Sequence, residues 1–302
     1  MVLSRARSCS LIAVAALALA PAQPVAAQPA EAEAAAALPG PHQFVSGLDL
    51  ECYSTPGPAL NIGLTLRHLN PVLISLGLPA HDAVIGTLAQ TCVPVAKNGV
   101  SPDPAALPFI QHVDFACYNL STAALASPVP LNLTHLNPVL AGLPVHQVRL
   151  TQATQLCVPV AKNGVIPPAS VLPLIQFLDL ECYTALPVTT HPTFGVNITQ
   201  LNPQLVTAIP AHPLTLINQP RQLCVPVQKN QQVIPSASLN IIQWVDLERF
   251  TASPPVAVSP VTVKLSHLNP LFTTLPSVAV TLAQAINLMV PVAKNGAIPP
   301  AP

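Results

Sequence analysis

The chain has 302 residues, of which only 7% are charged, and its 11 acidic residues balance its 11 basic residues. An ordinary soluble domain carries about 25% charged residues. The scarcity of lysine and arginine argues against nucleic acid as a partner, because binding to phosphate requires clustered basic side chains. Hydrophobic residues make up 51% of the chain, which argues against a solvated disordered protein and provides ample material for cores.

The first 27 residues have the pattern of a secretory signal peptide. Arg5 and Arg7 precede an apolar segment at 11–20, and small residues then lead to a cleavage site after Ala27. The apolar segment is shorter than the about 20 residues that a membrane-spanning helix needs. We therefore expect a secreted protein with an Ala- and Pro-rich linker at 28–43 and no transmembrane segment in the mature chain.

The rest of the chain consists of four copies of one unit of about 65 residues. Three strings recur in the same order, and in the first copy they are LDLECY at 48–53, HLNP at 68–71 and CVPVAKNG at 92–99. Each string is followed by its next copy 65 to 67 residues later. The four copies are unit 1 at 44–108, unit 2 at 109–173, unit 3 at 174–240 and unit 4 at 241–302.

Within each unit the sequence predicts mainly strands. LDLECY alternates apolar and polar residues, and so do segments before the second string, such as 131–134, and before the third, such as 145–150. Asn followed by Pro predicts one or two turns of helix, and Lys-Asn-Gly predicts a tight turn with positive φ. We expect an all-β fold with short helical turns, built as four tandem small β-domains that proline-rich segments join stiffly.

Cysteine occurs as one pair in each of the first three units, and we predict that each pair forms a disulfide. The pairs are Cys52–Cys92, Cys117–Cys157 and Cys182–Cys224. Unit 4 has Arg249 and Met289 at the two positions, so both cysteines are replaced together. Joint replacement indicates a bonded pair, because one remaining thiol is a liability in an oxidising compartment. A cysteine zinc site is disfavoured, since no second cysteine stands at ligand spacing.

The recurring strings resemble an uncharacterised tandem module of secreted bacterial proteins. The resemblance rests on Cys-Tyr early in the unit, as at Cys52-Tyr53, and on Cys-Val-Pro-Val-x-Lys-Asn late in the unit, as at 92–98. It covers nearly the whole chain after the leader, and unit 4 departs from it at Arg249-Phe250 and Met289. The resemblance implies an exported, β-rich repeat protein and supplies no activity.

Every unit also keeps one aspartate and one lysine, although charge is scarce. The pairs are Asp49 with Lys97, Asp114 with Lys162, Asp179 with Lys229, and Asp246 with Lys294. The structural interpretation is an ion pair within each unit, or hydrogen bonds to turn backbone, near the disulfide. The functional interpretation is a charged pair that faces a ligand and is repeated along the array. Both interpretations stay open at this point.

Histidine is the other candidate for chemistry, because a pair of imidazoles in one unit is able to hold a metal ion. Unit 3 has Gln200 at the first histidine position and unit 4 has Val278 at the second, so only two units keep both. We therefore expect no metal site and no cofactor. The remaining candidates are the histidines of units 1 and 2, namely His68, His81, His135 and His146.

The sequence favours a non-enzymatic function. It contains none of the G-x-S-x-G, Walker, G-x-G-x-x-G or H-E-x-x-H motifs, and Ala116 interrupts the carboxylate pair that units 1, 3 and 4 carry. The favoured hypothesis is an exported structural or binding/adhesion protein. It would use weak contacts along the array to hold an unknown extracellular or cell-envelope ligand, or copies of itself. The alternatives are a secreted hydrolase or inhibitor with the repeats as scaffold, and a histidine-based metal-binding protein.

Overall fold

The computed structural model describes residues 37–189, 192–217 and 222–301, which are mostly β-strand with a few short helices. The all-β prediction is confirmed. The predicted signal peptide, its cleavage site and most of the predicted linker lie outside the described residues. None of the described helices has the length and apolar character needed to span a lipid bilayer.

In chain order the described elements are α1 (Pro41–Ser46), β1 (Asp49–Ser54), β2 (Ala59–His68), α2 (Pro71–Ser75), β3 (His81–Lys97), α3 (Leu107–Ile110), β4 (Phe115–Thr122), β5 (Val129–His135), a 3-10 turn (Pro138–Leu140), β6 (His146–Lys162), α4 (Leu172–Ile175), β7 (Leu180–Pro187), β8 (Phe194–Gln200), β9 (His212–Leu216), β10 (Gln222–Lys229), α5 (Ser236–Ile242), β11 (Leu247–His267) and β12 (Val278–Lys294). Units 1 and 2 share one order of elements, namely a short helix, two strands, a helical turn and a long strand. Unit 3 has two described strands, β9 and β10, in place of the long last strand, and in unit 4 one long strand, β11, replaces the first two strands.

Eight strands close into an antiparallel ring, which we call the central ring. Each unit contributes its first and last strands, which pair with each other, and the last strand also pairs with the first strand of the next unit. The last strand of unit 4 pairs with the first strand of unit 1, and this pairing closes the ring. The order around the ring is β1, β3, β4, β6, β7, β10, β11 and β12.

The interior of the central ring holds the cysteines and a layer of amide side chains. Gln90 on β3 donates to Gln155 on β6 and accepts from Asn287 on β12, and Arg249 on β11 also donates to Gln155. None of these hydrogen bonds joins two neighbouring strands of the ring, so the side chains meet across its interior. Cys92 lies two residues after Gln90 and therefore shares its face, because side chains alternate along a strand.

The four helices that begin the units close one end of the central ring. Phe44, Phe109, Leu174 and Ile241 come from α1, α3, α4 and α5, and each is buried in the hydrophobic cluster that contains the cysteines. A ring of eight strands leaves an interior just wide enough for side chains to fill. The interior is therefore a packed core to which all four units contribute.

The second strand of each unit lies outside the ring and reaches the unit two places further on. His68 at the end of β2 pairs with Val227 on β10, and Gln200 at the end of β8 pairs with Val95 on β3. Units 2 and 4 exchange the same contact, with His135 on β5 opposite Val292 on β12. Each unit is thus hydrogen-bonded to all three others.

The Lys-Asn-Gly turns fix these distant contacts. Asn98 and Gly99 have φ angles of 52° and 73°, as the sequence predicts. The Asn98 carboxamide oxygen accepts a 2.8 Å hydrogen bond from the backbone N–H of Asn197 in unit 3, and the Asn98 N–H donates to the Asn197 carbonyl oxygen. The carboxamide oxygens of the equivalent asparagines each accept a hydrogen bond from a backbone N–H of the unit two places away, at Asn163, Asn230 and Asn295.

The prediction of four separate β-domains in a row is corrected by these pairings. The described residues belong to one compact unit, and their strands form one continuous sheet. The physical reason is that a unit of about 65 residues buries too little apolar surface by itself. All four units bury apolar side chains in the shared interior of the ring, and their outer strands pair with the unit two places away. The four units are therefore arranged around one ring and not in a row.

Candidate functional site

The three predicted disulfides are confirmed, and they line the interior of the central ring. They join Cys52 to Cys92, Cys117 to Cys157, and Cys182 to Cys224. The sulfurs of Cys92 and Cys117 lie 3.8 Å apart, as do those of Cys157 and Cys182, so adjacent disulfides touch. In unit 4, Met289 is fully buried in the same cluster, and Arg249 binds the amide layer. The six cysteines that form these disulfides are fully buried and structural.

The repeated aspartate and lysine form a buried ion pair within each unit. The pairs are Asp49 with Lys97, Asp114 with Lys162, Asp179 with Lys229, and Asp246 with Lys294. Burial raises the pKa of Asp49 to about 6, although the adjacent Lys97 ammonium opposes this shift. Burial likewise lowers the pKa of Lys97. The four lysine side chains are inaccessible to solvent. This is the arrangement that an ion pair within each unit requires.

Each ion pair also binds an asparagine of the next unit. The Asn137 amide in unit 2 donates to the Asp49 carboxylate in unit 1 at 2.6 Å, and its carboxamide oxygen caps the turn that follows by accepting from the Val139 N–H. Asn202, Asn269 and Asn70 repeat the contact with Asp114, Asp179 and Asp246. The Asn-Pro pair therefore caps a helical turn, as predicted, and links neighbouring units.

Clefts flank two of these junctions. One of about 270 Å³ is lined by Asp49, Asn137 and Pro138, and its equivalent of about 40 Å³ is lined by Asp114, Asn202 and Pro203. The aspartate of each pair lines its cleft, whereas Lys97 and Lys162 are buried behind it. The buried ion pairs favour the structural interpretation, and a ligand-facing role for these aspartates stays a prediction.

The remaining polar residues of the repeats meet outside the ring in four equivalent groups. Each group combines histidine positions of one unit with the Glu and Tyr positions of LDLECY from the unit two places further on. Leu180 and Cys182 on β7 face the ring interior, so Glu181 and Tyr183 face outward. In unit 1, β2 and the first part of β3 pair as a hairpin that carries His68 and His81. This hairpin lies against Glu181 and Tyr183 of unit 3, so residues far apart in sequence come into contact.

The unit 1 group consists of His68, His81, Glu181 and Tyr183. The His81 Nε2 lies 2.7 Å from the Glu181 carboxylate. The Tyr183 hydroxyl donates to the same carboxylate at 3.1 Å and contacts His68 Nε2 at 3.2 Å. Glu181 is fully buried, whereas 24% of the His81 side chain is exposed. Two imidazoles and one carboxylate thus place one ligand atom each within 4.8 Å of one another.

Burial and the Glu181 carboxylate give the two histidines of the unit 1 group opposite protonation behaviour. The hydrogen bond to Glu181 raises the pKa of His81 above its ordinary value. Burial lowers the pKa of His68 to about 3, and the neighbouring His81 and Lys294 act in the same direction. Burial also raises the pKa of Tyr183. His68 is therefore a neutral imidazole at physiological pH.

The unit 2 group has the same three ligand types in a closed environment. His146 Nε2 lies 2.6 Å from the Glu248 carboxylate, and His135 Nε2 lies 3.8 Å from it. All three side chains are essentially inaccessible to solvent. Phe250 stands at the position that Tyr183 occupies in the unit 1 group, and Phe194 packs edge-to-face against it. Burial raises the pKa of Glu248.

The other two groups lack one or more of the ligand positions. In the unit 3 group, the Gln200 amide replaces the first histidine and donates to Glu51 and Tyr53, while His212 Nε2 lies 2.7 Å from Glu51. In the unit 4 group, His267 contacts the Tyr118 hydroxyl at 3.0 Å, and Ala116 stands at the glutamate position. Only units 1 and 2 assemble two histidines and a glutamate among the described residues.

A mostly apolar cavity of about 290 Å³ opens beside the unit 1 group, and we call it the unit 1 cavity. His68, His81 and Tyr183 form its polar wall. The apolar walls come from Leu78 and Pro79, Ala153, and the segment 122–126 of unit 2. A larger groove of about 400 Å³ crosses the outer strands near Thr65, but it is open surface. The unit 1 cavity joins apolar walls to polar groups with shifted pKa values, which is the usual character of a ligand site.

The sequence interpretation found the four histidines but did not place Glu181, Glu248 and Tyr183 beside them. A signal for them was present. The glutamate of LDLECY is lost only in unit 2, at Ala116, and the second histidine is lost only in unit 4, at Val278. These two units are partners in the structure, so the paired loss marks a contact in the way that the loss of both cysteines marks a disulfide.

No protein-family model, curated protein or solved structure matches the chain. The resemblance to a tandem module of secreted bacterial proteins therefore stays a prediction. The features of the described residues that indicate a function are the unit 1 group and the unit 1 cavity.

Proposed function

We propose that this protein is an exported binding protein that holds one small, mostly apolar molecule in the unit 1 cavity. The observation that carries the proposal is the cavity itself, in which an apolar space of about 290 Å³ ends on His68, His81 and Tyr183. Ligand pockets in proteins occupy about 300–1,000 Å³ and combine apolar walls with a few convergent polar groups. The volume is that of a small pocket and suits a molecule of one or two rings.

The polar wall indicates what the ligand carries at one end. His81 is partly exposed and already hydrogen-bonded to Glu181, so its positive charge is balanced when it is protonated. His68 is neutral and the Tyr183 hydroxyl is un-ionised, because burial shifts the pKa values of both in that direction. The wall is thus polar without net charge, which favours an uncharged hydroxyl or carbonyl group over a strong ion.

Export is supported by the three buried disulfides, because disulfides form and persist in oxidising compartments. The secretory leader pattern points the same way. The hypothesis of weak contacts added along a row stays a prediction. We propose a single site instead, since the described strands of all four units belong to one sheet.

Titration with 2-naphthol tests the proposal, because this probe joins an apolar two-ring body to one hydroxyl group and its fluorescence reports burial. We expect saturable binding to one site per molecule. Ala124→Phe introduces a ring at the cavity wall and should weaken binding at least about tenfold, the equivalent of about 1.4 kcal/mol. Ala124 is exposed in an irregular segment, so the fold should tolerate the change.

Ala257→Phe is the matched control, since Ala257 is also exposed but lies on β11 and does not line the cavity. It should leave the affinity for 2-naphthol within about twofold of the wild type, as surface substitutions usually have little effect. The proposal fails if 2-naphthol shows no saturable binding, or if both variants lower its affinity equally.

A further inference from the structure

We propose that the unit 1 group binds one divalent transition metal ion, of the class of Zn²⁺ or Co²⁺, through His68, His81 and Glu181. The inference goes beyond the binding of an apolar molecule, because it requires no organic ligand. It concerns the same wall of the unit 1 cavity, so the experiment below separates the two proposals.

The three ligand types match this class of metal. Two imidazole nitrogens and one carboxylate oxygen form a recurrent ligand set for zinc, with a fourth position left for water or another ligand. Imidazole favours zinc, cobalt and copper over magnesium or calcium, which prefer oxygen ligands alone. The set is assembled from unit 1 and unit 3, and the hydrogen-bonded contact of β2 with β10 holds the two units together at this place.

The distances allow coordination after a small movement. The ligand atoms of His68, His81 and Glu181 lie within 4.8 Å of one another. Around a tetrahedral ion with bonds of about 2.0–2.1 Å, neighbouring ligand atoms are about 3.3 Å apart. The 2.7 Å hydrogen bond between His81 and Glu181 therefore has to open by less than about 1 Å, which is within the range of side-chain rotation.

Tyr183 acts as a positioning residue for this set. Its hydroxyl donates to the second oxygen of Glu181 at 3.1 Å and contacts His68 at 3.2 Å, so one group orients two of the ligands. Such contacts to metal ligands typically fix their orientation and raise affinity.

Access to solvent distinguishes the unit 1 group from the unit 2 group. The unit 1 cavity opens at His81, whose side chain is 24% exposed, and thereby gives the ion an entry path and room for a water as fourth ligand. In the unit 2 group, His135, His146 and Glu248 are essentially inaccessible. We therefore assign the ion to the unit 1 group, and the unit 2 group provides matched control positions.

Calorimetric titration of the tag-free, disulfide-intact chain with Zn²⁺ tests the assignment, together with the visible absorption of the Co²⁺ complex. We expect one ion per molecule and a Co²⁺ spectrum of four- or five-coordinate type. His68→Gln should lower Zn²⁺ affinity by at least about 100-fold, because it removes a direct ligand. Glutamine occupies the equivalent position in unit 3 as Gln200, so the fold accommodates it.

His135→Gln in the unit 2 group is the matched control and should leave Zn²⁺ binding unchanged. His81→Gln, at a partly exposed position, should reproduce the loss seen with His68→Gln. The assignment is overturned if the wild type binds no Zn²⁺, if both unit 1 variants bind it as well as the wild type, or if only His135→Gln loses it. A six-coordinate Co²⁺ spectrum would also contradict it.

Separate titrations of the wild type with Zn²⁺ and with 2-naphthol distinguish the metal assignment from the proposed ligand site. Normal Zn²⁺ binding by a protein that never binds 2-naphthol would overturn only the ligand proposal. Saturable binding of 2-naphthol by a protein that never binds Zn²⁺ would overturn only the metal assignment.

Discussion

The side-chain amide of Asn137 in unit 2 donates a 2.6 Å hydrogen bond to the carboxylate of Asp49 in unit 1. The contact recurs around the central ring, so each ion pair is completed by an asparagine of the next unit. The residues that recur in every unit are therefore largely the ones that join units together. Functional candidates have to be sought at recurring positions that only some units keep.

Asn137→Ala should destabilise the whole protein. The substitution leaves the buried Asp49 with one hydrogen-bond donor fewer and removes the cap that Asn137 provides to the Val139 N–H. Loss of a hydrogen bond to a buried charged group costs about 1.5–3 kcal/mol, and loss of a helix cap costs about 1 kcal/mol. Urea unfolding followed by circular dichroism measures the change. Asn119→Ala is the control, since exposed Asn119 bonds only exposed Thr87, and it should cost under about 0.5 kcal/mol.

Lys97→Met should be more damaging than the double variant Asp49→Asn/Lys97→Met. The single substitution leaves the Asp49 carboxyl buried without its cation, which costs about 3–5 kcal/mol, whereas removal of both charges is often close to neutral. Urea unfolding of the wild type, both single variants and the double variant gives the coupling energy. A double variant less stable than Lys97→Met would contradict the ion-pair account.

The ion pairs should also make the stability depend on pH. The pKa of Asp49 is raised from 3.8 to about 6 in the folded protein, so between these values the folded state retains a proton that the unfolded state has released. The stabilisation from this group is therefore complete below about pH 4 and is lost as the pH rises through about 6. The free energy of unfolding of the wild type, relative to Asp49→Asn/Lys97→Met, should fall between pH 4 and pH 6. A difference that stays constant or rises would contradict the raised pKa.

Removal of one disulfide should weaken the central ring but leave it folded. Cys52 and Cys92 are 40 residues apart, and closing a loop of this length contributes about 4 kcal/mol in the chain-entropy model. Unit 4 already closes its part of the ring without a disulfide, with Arg249 paired to Met289 across the same strands. Cys52→Ala/Cys92→Ala should therefore lower the urea midpoint and keep the β-sheet circular dichroism spectrum. Complete loss of folded structure would contradict this prediction and would show that the ring cannot form without the Cys52–Cys92 disulfide.

Local structure was readable from the sequence, because its causes lie within a few residues. Asn70 and Asn137 cap the turns that their Asn-Pro pairs predict, and Asn98 adopts the positive φ of a tight turn. The pairing Cys52–Cys92 followed from spacing and from the joint replacement at Arg249 and Met289.

The closure of the ring could not be predicted from the sequence. A sequence repeat shows which elements each unit contains, but it does not show which other units they contact. His68 and Val227 pair across units 1 and 3 through backbone hydrogen bonds, which carry no side-chain signature. For the same reason the contact of Glu181 with His68 and His81 could not be predicted, since residues contributed by two different units have no fixed sequence spacing. Only the paired loss at Ala116 and Val278 recorded the contact, and it lies two units apart along the chain.

The crystal structure of the complex with 2-naphthol is the most direct test of the proposed function. The account predicts electron density for one molecule inside the unit 1 cavity, with its rings against Leu78 and segment 122–126 and its hydroxyl within hydrogen-bond distance of His81 or Tyr183. Electron density for 2-naphthol at other sites alone, with the unit 1 cavity holding only solvent at a saturating concentration, would contradict it.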